Sequence, residues 1–96
     1  RFDYPAAAEE ERIVANEAQV DAALAAQVVK LGQALRRLEQ HDLEEVASTR
    51  LLIFAARMIR SGMTPREACL ACLAEPLSDD PQTVAALMGV VDVHFA

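Results

Sequence analysis

Apolar residues recur along most of this chain at steps of three and four with polar residues between them, a period of about 3.6 that predicts helices and not strands. Phe2-Asp3-Tyr4-Pro5 reads as a short extended lead-in. A first helix from Pro5 to about Ala18 turns Ile13 and Val14 inward and sets Glu9, Glu10 and Glu11 in its opening turns, where carboxylates oppose the helix dipole favourably. Asp21 caps a second helix whose stripe is Leu24, Val28, Leu31, Leu35 and Leu38, leaving Gln33, Arg36, Arg37 and Gln40 outside. The segment from His41 to Ala47 breaks the period and reads as a loop ending at the N-cap Ser48. A third helix, Thr49 to Ser61, carries Leu51, Leu52, Phe54, Ala55, Met58 and Ile59 and is expected to be the most buried element. Gly62 ends it in left-handed geometry.

Thr64, Pro65 and Glu67 spell a capping box with proline at the first helical position, so a fourth helix follows at once. It turns Ala68, Cys69, Cys72 and Leu73 inward and is expected to stop before Pro76. Asp80 and Pro81 repeat the device for a fifth helix with Val84, Leu87, Met88, Val91 and Phe95 on one face. The expectation is an all-α, five-helix bundle forming a single domain over residues 1–96.

Composition sharpens this picture. With 53% hydrophobic but only 4% aromatic residues, the apolar content is mostly Ala, Leu and Val, which suits packed helices. Nine basic against fifteen acidic residues give a net charge of −6, which opposes binding to nucleic acid or to an anionic membrane. No apolar run is long enough to span a bilayer. Cys69 and Cys72 stand alone as a C-x-x-C pair, with neither His41 nor His94 at ligand spacing, so they read as buried small hydrophobes and no metal site is expected. Reduced thiols point to the cytoplasm. A chain opening on Arg1 instead of Met reads as processed or cut from something longer.

One residue has chemistry to offer. Arg50 opens the third helix, where a planar guanidinium can fork onto phosphate oxygens and the first-turn N–H groups add positive potential. Solvation, or pairing with Glu44 or Glu45, is the plainer account of the same position. Arg57 and Arg60 lie near the same stripe and read as a solvated face. Asp79 and Asp80 are adjacent beside Pro81, which favours capping over paired-carboxylate catalysis. No catalytic residue is expected. Nor is there a G-x-x-x-x-G-K-[ST] loop to cradle phosphates, since Gly32, Gly62 and Gly89 are scattered, so the segment by itself should not hydrolyse ATP.

Three stretches together carry a resemblance: Phe2-Asp3-Tyr4-Pro5, Ser48-Thr49-Arg50 running into Leu51-Leu52-Ile53-Phe54-Ala55-Ala56-Arg57, and Glu75-Pro76-Leu77-Ser78-Asp79-Asp80-Pro81. On these residues nearly the whole chain resembles the C-terminal part of the CbbQ/NorQ proteins of the MoxR branch of AAA+ ATPases, most closely the CbbQ type. The resemblance implies a helical lid following a nucleotide-binding subdomain, with residues 1–5 as the lead-in. It implies that Arg50 is the sensor-2 arginine reaching ATP phosphates, with ATP and Mg held by the preceding subdomain. Ser48 and Thr49 would cap the helix. It further implies a hexameric ring of neighbouring subunits that works with a von Willebrand factor A domain partner to remodel inhibited Rubisco, or, for NorQ-type relatives, to serve nitric oxide reductase.

Two other readings compete. Met63-Thr64-Pro65-Arg66-Glu67 resembles the opening of a LuxR-type helix-turn-helix, but no basic residue follows Arg66 on that helix and the net charge is wrong for DNA. A helical protein-interaction domain with no nucleotide role is the stronger rival, although five helices need such stripes for their own core.

Overall fold

Among the described residues, five helical runs make up the secondary structure: α1 (Ala7–Ala18), α2 (Ala22–Leu38), α3 (Thr49–Arg60), α4 (65–77) and α5 (Pro81–His94). They belong to a computed structural model that describes residues 5–38, 48–77 and 79–95. The all-α expectation holds. The readings placed on Phe2 to Tyr4, on the His41 to Ala47 loop with Glu44 and Glu45, on Gln40 and on Ser78 lie outside the described residues.

The chain punctuates itself with caps. Asp21 Oδ1 accepts from Leu24 N–H at 2.8 Å at the start of α2, and Ser48 Oγ accepts from Leu51 N–H at 3.3 Å at the start of α3. Thr64 and Glu67 close the capping box, each backbone N–H donating to the other side chain at 3.1 Å. Asp80 Oδ2 accepts from Thr83 N–H at 3.1 Å and from Thr83 Oγ1 at 2.8 Å, opening α5. Gly62, at φ 118°, follows α3 in the left-handed region that glycine occupies at low cost. Gln19 takes a similar φ of 57° after α1, and its N–H closes on Ala15 O.

α1 packs on α2 and α3, α4 on α3 and α5, and α2 reaches across to α5. The body is 19 Å thick, about two helix diameters. Val14, Val28, Val29, Leu31, Leu35, Leu52, Leu73 and Val91 are its fully buried apolar anchors. Each large aliphatic side chain so buried contributes about 1.5 to 3 kcal/mol from the hydrophobic effect. Gly32 matters to the closeness of α2 and α3, because a Cβ built there would stand 2.7 Å from Leu52 Cδ1.

Three expectations need correction. α3 is not the most buried element: only Leu52, Ala55 and Ala56 are buried, while Phe54 and Met58 are 42% and 37% exposed. On the core side Leu52 is joined by the small Ala55 and Ala56. α4 does not stop before Pro76, since the run continues from Pro65–Cys69 through a π-helical turn, Leu70–Ala74, into Glu75–Leu77. Proline has no N–H and its ring crowds the carbonyl four residues back. Widening the preceding turn, with Glu75 N–H donating to Leu70 O, lets the helix accommodate it. Arg36 does not stay outside, while Glu10 sits in the first turn of α1 as expected and is buried as well. Their pairing shapes the start of α3.

Candidate functional site

Glu10 shares a stripe of α1 with Val14 and Ala18, each four residues on, and all three are buried. A carboxylate there would be costly alone, because burial removes the water that stabilises its charge. Two neighbours supply what water would. Arg36, in the last turn of α2, donates from Nη1 to Glu10 Oε1 at 2.9 Å and from Nη2 to Oε2 at 2.6 Å, a bidentate fork. Thr49, the first residue of α3, donates from Oγ1 to the same Oε2 at 2.7 Å. Glu10 is 0% exposed and the Arg36 side chain 11%. One carboxylate therefore ties the starts and ends of three helices together, and its charge sits at the positive end of α3 and beside the arginine near the negative end of α2.

Thr49 was expected to share the capping of α3 with Ser48. The work is divided instead: Ser48 caps, while Thr49 turns its hydroxyl inward to Glu10. With Thr49 turned in, the next residue turns out. Arg50 is exposed on the first turn of α3, and its side chain makes no hydrogen bond or ion pair among the described residues. Its backbone N–H lies among the opening donors that no helical carbonyl meets. Phe54, Arg57, Met58, Arg60 and Ser61 are the other exposed residues of this face, so Arg50 stands at the head of a mixed basic and apolar strip. The core-facing residues Leu52, Ala55 and Ala56 lie on the opposite side.

Arg57 is exposed but not idle. Its Nε and Nη2 donate to the Glu17 carbonyl at 3.4 and 3.1 Å, satisfying an acceptor in the last turn of α1. The helix that presents Arg50 is thus fixed to α1 at both ends.

The remaining candidates fall away from this face. Cys69 is fully buried in α4 and its thiol is pushed up to about 12, first by burial and then by the neighbouring Cys72. Burial raises Cys72 as well, and both are free thiols kept neutral. Asp80 behaves as a cap, its carboxyl held below the usual range first by the Thr83 hydroxyl and then by the Thr83 N–H. His94 is half-buried, with Nδ1 3.1 Å from Val90 O, while His41 lies outside the described residues. Among the described residues no three His, Cys, Asp or Glu side chains gather at metal-binding range, and no helix is long and apolar enough to cross a membrane.

The clamp escaped sequence reasoning because its members are 26 and 39 residues apart. A signal existed nonetheless. Glu10 is in register with Val14 and Ala18, and Arg36 is in register with Ala25, Val29 and Gly32, so both charged residues fall on core stripes.

Comparison with known proteins gives this arrangement a setting. Residues 10–94 match the family model described as CbbQ/NirQ/NorQ C-terminal. The chain is 94% identical over 95 residues to the denitrification regulatory protein NirQ of Stutzerimonas stutzeri, covering 99% of the chain and 34% of the relative. It is 71% identical to the NirQ of Pseudomonas aeruginosa, covering all of the chain and 37% of that protein. Against protein CbbQ of Hydrogenophilus thermoluteolus the identity is 43% over 99% of the chain and 36% of the relative. The chain spans about a third of the length of these relatives. By the extent and strength of these matches the chain belongs to the CbbQ/NirQ/NorQ family of MoxR-branch AAA+ proteins, and corresponds to its C-terminal domain.

Proposed function

We propose that this domain is the nucleotide-sensing lid of an AAA+ ATPase and that Arg50 is the group that senses ATP. The observation that carries the reading is the placement of Arg50: exposed at the opening of α3, without a partner among the described residues, on a helix held firmly from behind. These residues fit an anion as one contact and not as a complete site. Arg50 supplies a planar, permanently charged fork, while the chain has no glycine-rich loop to hold the remaining phosphates. ATP and Mg would be held by residues outside this chain, and ATP bound there would supply the negative charge that Arg50 answers. A charge-assisted contact of this kind contributes about 1.5 to 3 kcal/mol, enough to bias a hinge between two lid positions but not to retain a nucleotide alone.

The same reading takes the assembly to be a hexameric ring coupled to a client through a von Willebrand factor A domain partner. For the client, the balance of similarity favours denitrification over Rubisco remodelling. Identity to two proteins named as denitrification regulators is 94% and 71%, against 43% to a CbbQ. The nitric oxide reductase machinery is then the first client to examine. Inhibited Rubisco, the client expected from the CbbQ resemblance, is the second, supported by that 43% identity.

The test is ATP turnover by the full-length protein carrying Arg50→Ala. An exposed helix-start arginine contributes little to stability, so the variant should fold as the wild type does and hydrolyse ATP about tenfold or more slowly, the loss set by one charge-assisted contact. Wild-type turnover in a folded variant removes Arg50 from the nucleotide site.

A further inference from the structure

We infer that Glu10 and Thr49 are positioning residues for nucleotide sensing, acting through Arg50, a proposal that rests on the reading of Arg50 given above. Thr49 and Arg50 are adjacent in the first turn of α3, so the direction of one fixes the direction of the other. Thr49 Oγ1 is held at 2.7 Å by Glu10 Oε2, and Glu10 is itself locked by both Nη atoms of Arg36. The carboxylate is fully buried, so water does not compete for it. First turns of helices fray readily, because their opening N–H groups lack helical partners. Ser48 satisfies one of these donors, but a cap alone leaves the turn free to rotate about its own end. The Thr49 hydroxyl bond removes that freedom by pinning one side of the turn to α1. Arg50, about 100° further round the same turn, is thereby presented outward, with less conformational freedom left to lose when it meets a phosphate. The clamp touches no nucleotide. Its contribution is the orientation of the residue that does.

The variant that isolates this is Thr49→Val in the full-length protein, which keeps the branched shape and deletes the hydroxyl. The readout is the dissociation constant for a non-hydrolysable ATP analogue, with thermal unfolding recorded on the same samples. Thr49→Val should weaken the analogue about tenfold, the ratio set by one hydrogen bond to a charged group, and Thr49→Ser should restore the wild-type value. In an Arg50→Ala background, Thr49→Val should cause no further weakening, because there is no guanidinium left to orient. Glu10→Gln serves as the second variant and should show the same dependence on Arg50. If Thr49→Val lowers the unfolding temperature but leaves analogue affinity at the wild-type value while Arg50→Ala weakens it, positioning is overturned and the sensing role of Arg50 stands. If Thr49→Val weakens binding by the same factor with and without Arg50, positioning is likewise overturned. If Arg50→Ala itself leaves affinity unchanged, the reading beneath both proposals fails.

Discussion

Among the described residues, two well-formed ion pairs differ in almost everything but chemistry. Arg36 and Glu10 meet at 2.6 Å with side chains 11% and 0% exposed, whereas Arg66 and Asp92 meet at 3.0 Å, joining α4 to α5, with side chains 60% and 51% exposed. In the first pair the Glu10 carboxylate cannot return to water if Arg36 is removed. In the second each is already hydrated, and salt screens what attraction remains. The three-helix half of the domain therefore adds a buried polar clamp to its caps and apolar contacts, and the α4–α5 half adds only an exposed pair and a widened turn. A buried pair of this kind fixes which surfaces meet more than it adds net stability.

That contrast predicts a ranked set of effects. Largest is Arg36→Met, which strands the Glu10 carboxylate and should cost about 3 to 5 kcal/mol in denaturant unfolding. Adding Glu10→Leu should recover much of that loss, since an apolar pair of similar volume no longer carries a buried charge; a double variant as unstable as the single one would break the account of the clamp. Arg66→Ala should change stability by about 1 kcal/mol or less, and the change should shrink further in high salt. A loss as large as that of Arg36→Met would erase the distinction between the two halves.

Smallest is the cap of α5. Asp80 has its carboxyl pKa lowered in the folded state, chiefly by Thr83, so its charged form is favoured by folding. The contribution is present above the unfolded value of about 3.9 and is lost as pH falls through the lower folded value. Asp80→Ala should thus be less stable than wild type at pH 7, with the gap closing below about pH 4. A gap that widens in acid would reverse the assigned sign.

Much of the fold was legible in the sequence because its punctuation is local. Asp21, Ser48, Thr64 with Glu67, and Asp80 each bond a backbone N–H three residues on, and Gly62 takes the backbone angle its position demands. What escaped was non-local or depended on competition. Hydrophobicity overstates the core face of α3: Leu52, Ala55, Ala56 and Ile59 form one side of the helix and Arg50, Phe54 and Arg57 the other, with Ser61 following as the cap. Counting Phe54 and Met58 as core followed their hydrophobicity instead of their angle. Pro76 was read as a stop because an α-helical turn cannot hold it, and the π turn before it is not written in any single residue. The position of Arg50 at a helix start was legible, but what steadies it was not, since Glu10 and Thr49 are 39 residues apart.

The central claim is that an outward arginine on a braced helix distinguishes an intact triphosphate from its product. The most direct measurement is the ratio of ATP-analogue to ADP affinity in the full-length protein, compared between wild type and Arg50→Ala. The wild type should prefer the triphosphate, and Arg50→Ala should lose most of this preference while binding ADP nearly as before. An unchanged ratio in a folded Arg50→Ala protein would contradict it.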